Sequence, residues 1–60
     1  MAAIYHVWGP DDFFLETRSQ REAALTAQGV ANKTGRPASV IMYFENRSRI
    51  TYYYPKEAVS

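Results

Sequence analysis

The chain is short, nearly neutral and free of cysteine: it has 60 residues, a formal net charge of +1 and no Cys. A chain of this length can form one domain with a small core. Its net charge excludes a general polyanion binder. The absence of Cys excludes disulfides and zinc sites with Cys ligands. Five Tyr, three Phe and one Trp provide the large apolar side chains that so small a core needs.

Residues 3–8 and 13–18 predict the first two strands, because both stretches are rich in β-branched or aromatic residues, and the second alternates apolar and polar positions. A type I turn with Pro10 at its second position would set Trp8 opposite Phe13. Since the polar residues of the second strand should face water, this register assigns a face to each remaining side chain. The inward residues would be Ile4, His6, Trp8, Phe13 and Leu15. The outer residues would be Tyr5, Val7 and Phe14. A slip of one residue would reverse this assignment.

Residues 20–34 predict one helix with clear start and stop signals. Ser19 and Glu22 form a capping box, in which each side chain can bond the backbone N–H of the other residue. Gly35 can adopt the left-handed conformation that ends a helix. The apolar stripe of this helix is almost entirely small: Ala23, Ala24, Ala27, Val30, Ala31 and Thr34. Such a thin stripe lets a helix lie close to a sheet whose inward side chains are bulky, and Leu25 projects with the polar side.

Residues 39–45 and 49–54 predict the third and fourth strands. A three-residue turn pairs Glu45 with Arg49, a favourable cross-strand ion pair. A two-residue turn on Asn46 and Arg47 is less consistent, because it would put Phe44 and Arg49 on one face. The first register sends inward Val40, Met42, Phe44, Ile50, Tyr52 and Tyr54. It sends outward Ile41, Tyr43, Thr51 and Tyr53. Residues 56–60 are expected to form a frayed tail.

The predicted fold is a single α+β domain, residues 1–60, with the order ββαββ. A right-handed crossover makes strands two and three parallel and places strand one between them, so the sheet order is 2-1-3-4. One helix packs on one face of this four-stranded, antiparallel-rich sheet. The other face would meet water.

The residues that carry chemistry are few and scattered. There is one His, no Cys and no Gly-rich phosphate loop, and Asp11-Asp12 lies in a turn where local hydrogen bonding is the usual role. We therefore expect no enzyme, no catalytic residue, no metal site and no cofactor. The longest apolar run, Val40 to Phe44, is far too short to span a bilayer, and the first residues do not resemble a signal peptide. A cytoplasmic protein without membrane contact is expected.

Two surfaces are candidate binding sites. The outer sheet face would be a protein-binding patch with a charged rim, since contiguous apolar patches mark contacts. Its residues would be Tyr5, Phe14, Ile41, Tyr43 and Tyr53, with Glu45 and Arg49 at the rim. The second surface is a basic end beside the helix start, able to contact an anion or a nucleic acid. Its residues would be Arg18, Arg21, Arg47 and Arg49. The simpler interpretations are ordinary strand propensity for the patch and a solvated rim for the arginines.

The segments Ile4–Trp8, Phe13–Arg18, Ser19–Gly35, Val40–Glu45 and Arg49–Tyr54 form a layout that resembles several small phage-encoded inhibitors, including some anti-CRISPR proteins. The resemblance lies in the order of the elements and covers most of the chain, and it assigns no residue a role. It implies a stoichiometric blocker that binds a host defence complex and occludes its nucleic-acid path or its moving parts. We therefore expect a non-enzymatic, protein-binding inhibitor. The alternatives are a small nucleic-acid-binding module, less favoured, and a homodimeric adaptor.

Overall fold

The computed structural model describes residues 3–56, which form five elements in the order ββαββ. They are β1 (Ile4–Trp8), β2 (Phe14–Thr17), α1 (Gln20–Thr34), β3 (Ala38–Phe44) and β4 (Arg47–Tyr53). The strand order is β2-β1-β3-β4, and β1 is antiparallel to both of its neighbours. β2 and β3 therefore run parallel with β1 between them. The predicted α+β class, strand order and single packed helix are confirmed.

The ends of α1 are fixed by side-chain and backbone caps. The Ser19 hydroxyl accepts a hydrogen bond from the Glu22 N–H at 3.1 Å, and Gly35, at φ 72°, donates its N–H to the Ala31 carbonyl at 2.9 Å. The other half of the predicted capping box is wrong. Glu22 accepts from the Thr17 hydroxyl, and that hydroxyl oxygen in turn accepts the Ser19 N–H at 3.1 Å. Thr17 thus links the end of β2 to the start of the helix.

The core is a thin layer between α1 and the two central strands. Its buried residues are Val7, Ala23, Ala27, Ala31, Ala38 and Val40. Larger side chains close its edges, namely Tyr5, Phe13, Leu15, Val30 and Tyr53. A helix with its side chains is about 10 Å wide, whereas four strands span roughly 19 Å, so one helix covers only part of the sheet. As a result every residue of the edge strand β4 except Tyr53 is exposed.

The loop between β1 and β2 shifts the register of the first hairpin by one residue. Asp11 and Asp12 both have positive φ, 60° and 63°, and the Phe13 N–H donates to the Pro10 carbonyl at 3.3 Å. This is the pattern of a type I′ turn with Pro10 at its first position, rather than the predicted type I turn. The Gly9 N–H also bonds the Phe13 carbonyl, at 3.1 Å. Gly9 and Pro10 therefore both lie opposite Phe13, as in a β-bulge.

Because of this extra residue, Trp8 pairs with Phe14 instead of Phe13. The predicted faces of β2 hold, since Phe13 and Leu15 pack on the core while Phe14 faces away from it. The predicted faces of β1 are wrong. The side chains that turn away from the helix are Ile4, His6 and Trp8. Those that turn toward it are Tyr5 and Val7, and Val7 is fully buried.

The second hairpin turns on two residues, Glu45 and Asn46, so that Phe44 pairs with Arg47. Glu45 takes φ 55°. Glu45 is the first central residue of this turn, a position at which positive φ is usually supplied by Gly, Asn or Asp. The predicted pairing of Glu45 with Arg49 is wrong, because Arg49 lies opposite Met42.

The observed register of this hairpin differs from the predicted one by an odd number of residues, which reverses the faces of β4. Ile50 lies beside Ile41 on the side away from the helix, and Tyr52 follows on that side. Thr51 and Tyr53 lie on the helix side, where Tyr53 packs on the core. The inward positions predicted for Ile50 and Tyr52 are therefore wrong. Two other residues predicted inward are also exposed, Phe44 and Tyr54.

The chain after β4 is hydrogen-bonded to polar side chains of α1. The Gln28 side-chain amide donates to the Tyr54 carbonyl at 2.8 Å and to Asn32 Oδ1 at 3.0 Å. Asn32 Oδ1 also accepts the Lys56 N–H at 2.8 Å. Lys56 is therefore held in place, contrary to the expectation of fraying, while residues 57–60 of that predicted tail lie outside the described residues. Within residues 3–56, no helix has the length and apolar character needed to cross a membrane.

Candidate functional site

The sheet face without a helix, called the open face below, presents its side chains in three rows that run across the strands. The first row, at the end where β1 leads into its turn, contains Phe14, Trp8, Ser39 and Tyr52. The second row contains Glu16, His6, Ile41 and Ile50. The third row, at the opposite end, contains Ile4, Tyr43 and Ser48. The register alone brings these eleven residues together, although they come from four separate strands.

Four rings on the open face form a continuous series of contacts. The His6 ring lies between Phe14 and Tyr43, with centroid distances of 5.1 Å and 4.9 Å and near-perpendicular planes. The Phe14 ring also contacts Trp8 at 4.5 Å. Edge-to-face geometry is the favoured arrangement for such rings, and each pair can add about 0.5–1.5 kcal/mol beyond burial. The rings therefore hold one another in position before any partner arrives.

The open face is apolar and strongly exposed. Trp8 and Phe14 are each 45% exposed, and Tyr52 is 56% exposed. Glu16 is the only Asp, Glu, Lys or Arg among the residues of this face, and its Oε2 lies 3.4 Å from His6 Nε2. Aromatic enrichment together with depletion of charge is the composition found at the centres of protein interfaces.

The structure places the predicted protein-binding residues on different surfaces. Phe14, Ile41 and Tyr43 lie on the open face as expected. Tyr5 and Tyr53 lie on the helix side and pack on the core, so their predicted outer position is wrong. The two residues of the predicted rim also leave the face, since Glu45 is in the β3–β4 turn and Arg49 is on the helix side of β4.

Five open-face residues were missed because the predicted faces of β1 and β4 were reversed: Ile4, His6, Trp8, Ile50 and Tyr52. On β1 one face carries Ile4, His6 and Trp8 and the other Tyr5 and Val7, and both consist mainly of aliphatic and aromatic side chains, so alternation could not choose between them. On β4 Arg49 and Thr51 alternate with apolar residues. This alternation predicted that the apolar side of the strand faces the helix, which is wrong. An edge strand that the helix does not cover can carry polar side chains on its helix side at little cost.

The four arginines of the predicted basic end are all exposed and lie toward the end of the sheet where α1 begins. Arg49 and Gln20 line opposite sides of a cavity of about 150 Å³ between α1 and the last two strands. Within residues 3–56 the single contact of salt-bridge length is that of His6 with Glu16, so no carboxylate there lies within 4.0 Å of the guanidinium groups of Arg18, Arg21 or Arg47. The first row of the open face, with Trp8 and Tyr52, is at the far end. Trp8 and Tyr52 are therefore remote from these arginines, whereas Tyr43, in the third row, lies at the same end as they do.

Two other features lie outside the open face. Leu25 is 63% exposed on the helix, on the opposite side of the molecule. Among the residues that the structure describes, no three His, Cys, Asp or Glu side chains are grouped closely enough to hold a metal ion.

Comparison of the chain with protein-family models, with curated proteins and with solved structures finds no match. The open face is thus the feature from which a function has to be inferred.

Proposed function

We propose that this protein is a non-catalytic binding module that docks on a protein partner through its open face. The observation that carries the proposal is the composition of that face: a contiguous aromatic and aliphatic surface with a single charged residue, Glu16, beside His6. The face is four strands wide and three rows of side chains long, which corresponds to an area of roughly 300–400 Å². Patches of this size on small proteins are often functional.

The contacts within the open face favour tight docking. Tryptophan and tyrosine are the residue types that most often dominate binding energy, and Trp8 and Tyr43 are both exposed and held by neighbouring rings. Binding to a preordered surface loses less side-chain entropy than binding to a mobile one. The face supplies about half of the roughly 800 Å² that a standard interface buries on each partner. A partner would therefore also cover one of the exposed sheet edges, and β4 is the more exposed of the two.

The partner that we propose is a host defence complex of the CRISPR type, with the protein acting as a phage-encoded inhibitor in the host cytoplasm. The support for this narrower proposal is the ββαββ layout, which resembles that of small phage inhibitors. A stoichiometric blocker needs a binding surface and no catalytic group. Its mode of action would be to cover a nucleic-acid path or to restrain a moving part of the complex.

The test is a titration of the protein into a panel of purified CRISPR effector complexes, with target-DNA binding as the measurement. We expect DNA binding by one complex to fall with a 1:1 end point. The double variant Tyr43→Thr, Ile50→Thr removes two exposed open-face side chains and should weaken binding by at least about tenfold, which corresponds to about 1.4 kcal/mol. The matched control is Leu25→Gln, which removes the exposed apolar side chain of the helix and should leave binding unchanged.

Each part of the proposal can fail separately. If no complex in the panel responds to the wild-type protein, the proposed defence target is wrong. If the double variant, shown to be folded by circular dichroism, binds as tightly as the wild type, the open face is not the interface. Before the titration, the mass in solution should be that of a monomer. A stable dimer that the Tyr43→Thr, Ile50→Thr variant dissociates would assign the open face to self-association instead.

A further inference from the structure

The first row of the open face contains a gap between two aromatic side chains. Trp8 on β1 and Tyr52 on β4 both lie beside Ser39 on β3, and they line a shallow cleft of about 460 Å³ together with Arg36. We propose that this cleft binds a proline of an extended, acidic segment of the partner, with a carboxylate of that segment against Arg36. This inference rests on the proposed function, since it names the chemistry that one part of the open face recognises.

The spacing of the strands leaves room for one small ring. Two strand spacings separate the backbones of Trp8 and Tyr52 by roughly 9–10 Å, and Ser39 is too small to fill the space between their side chains. One wall is supported from behind, because the Phe14 ring contacts Trp8 at 4.5 Å from the strand on the other side of β1. Aromatic-lined grooves of this kind accept proline-rich segments, whose extended conformation exists before binding and loses little entropy.

The polar groups around the cleft are mainly hydrogen-bond donors. The Trp8 indole and the Arg36 guanidinium can only donate, while the hydroxyls of Ser39 and Tyr52 can donate or accept. A proline-containing segment offers the matching pattern, because its carbonyl groups are free to accept and proline has no backbone N–H. A segment of other residues offers the same carbonyl groups but adds N–H donors, for which the side chains of the cleft provide fewer acceptors.

The charge at the cleft selects an acidic segment. Arg36 is the only charged residue that lines it, and within residues 3–56 Arg36 takes part in no ion pair. The backbone of Arg36 is held by its neighbours: its backbone N–H donates to the Thr34 hydroxyl at 3.3 Å, directly after the left-handed Gly35 that ends α1. A carboxylate next to the bound proline would form a charge-assisted hydrogen bond with this guanidinium.

A single-stranded nucleic acid could also stack a base between two rings, but the surroundings favour a peptide. Binding to single strands requires a positively charged groove along the backbone, together with the stacking platform. Arg36 is the one cation at this cleft, and the open face continues from it through apolar side chains to Glu16. A phosphate backbone that followed the face would therefore lose its counter-charges.

The inference is tested with defined probes on the free protein. The probes are a hexaproline peptide flanked by glutamates, the same peptide with alanine in place of proline, a lysine-flanked hexaproline and a ten-residue oligothymidine. Each is titrated to about 1 mM into isotopically labelled protein, and amide and indole shifts are followed by NMR. We expect the acidic proline peptide to bind and to shift the Trp8 indole and the amides of Ser39 and Tyr52. The alanine and lysine peptides should bind more weakly.

Two pairs of variants separate the cleft from the rest of the open face. Ser39→Ile fills the gap with a residue that suits a strand, and its matched control is Ser48→Ile in the third row. The first should weaken peptide binding by at least about tenfold, the equivalent of about 1.4 kcal/mol, and the second should not change it. Arg36→Gln should weaken binding about two- to fivefold at low salt, whereas Arg47→Gln at the other end should have no effect.

Three results would overturn the inference. They are the absence of shifts at the highest concentration of acidic proline peptide, equal binding of the alanine peptide, and unchanged peptide binding by folded Ser39→Ile. Stronger binding of the oligothymidine with shifts at Trp8 would assign the cleft to nucleic acid and would equally overturn it. These results leave the docking of a protein partner through Tyr43 and Ile50 untouched, because the peptide titration uses no partner. Conversely, a failed search for the defence complex leaves the peptide result standing.

Discussion

A substitution of glycine by alanine should have opposite effects at two positions, Gly9 and Gly29, and the pair tests how tightly the β1–β2 loop packs on the helix. A Cβ at Gly9 would lie 2.7 Å from Val30 Cγ1 and 3.3 Å from Phe13 Cβ. Neither neighbour can move easily. Val30 is β-branched and therefore restricted to one rotamer in a helix. The backbone of Phe13 is hydrogen-bonded to both Gly9 and Pro10. Overpacking of this kind destabilises a protein by about 1–3 kcal/mol.

At Gly29 the same substitution meets no atom within 4 Å and occurs in an exposed position inside α1. Alanine is favoured over glycine in a helix by about 1 kcal/mol, so this change should stabilise the fold. For a domain of this length 1 kcal/mol corresponds to about 4–8 °C in Tm. Thermal unfolding followed by circular dichroism should therefore show a lower Tm for Gly9→Ala and a higher Tm for Gly29→Ala.

The mechanism at Gly9 can be checked by removing the atom that a new Cβ would strike. In a double-mutant cycle, Val30→Ala should relieve Gly9→Ala, with a favourable interaction energy of about 1 kcal/mol or more. A Gly9→Ala variant as stable as the wild type, or a cycle without interaction energy, would refute the close contact between loop and helix. The bulge that sets the register of β1 would then not be supported by packing of Gly9 on the helix.

Two further changes test the cap and the register of β4. Ser19→Ala removes the acceptor of an N-cap hydrogen bond and should lower the free energy of unfolding by about 1 kcal/mol in urea denaturation; no change would mean that the cap contributes nothing. Tyr53→Thr removes a side chain packed on the core and should destabilise the protein by about 2–4 kcal/mol, whereas Tyr52→Thr, on the open face, should cost clearly less. If Tyr52→Thr were the more destabilising of the two variants, the register predicted from the sequence would be correct instead.

The sequence was sufficient for the order of the elements and for the helix. The signals at Ser19 and Gly35 are local, because they depend on backbone groups within one turn. The alanines of α1 lie on one side of the helix, and this pattern identifies the side that is buried. The two strands whose faces were predicted correctly each follow a clear rule. In β2, Glu16 marks the side that faces water, and in β3 the residues Val40 and Met42 share the side that meets the helix.

The faces of β1 and β4 could not be predicted because both hairpins turn through left-handed residues that are not glycine. Asp11 and Asp12 adopt positive φ, which aspartate tolerates, yet the sequence Pro-Asp-Asp is equally compatible with a type I turn. Glu45 adopts positive φ with no such tendency. Each turn moved the register by an odd number of residues, so every side chain of the attached strand changed sides.

This dependence of the faces on the turns also explains why only part of the candidate site was predicted. Residues on β2 and β3 were placed correctly, as Phe14 and Tyr43 illustrate, whereas the residues of β1 and β4 were exchanged with their neighbours. The Trp8–Tyr52 cleft depends on both reversed strands at once. It could therefore be recognised only from the pairing of all four strands.

The most direct test of the account is the environment of Trp8 when a partner binds. Trp8 is the only tryptophan of the chain and lies on the open face, 45% exposed. Replaced by 5-fluorotryptophan, it gives one fluorine signal whose shift between H₂O and D₂O reports its contact with solvent. We predict a large solvent shift in the free protein that is lost when a saturating partner is added. A signal that keeps its position and its solvent shift in the complex would show that the partner binds elsewhere, and would contradict the central claim that the open face is the binding surface.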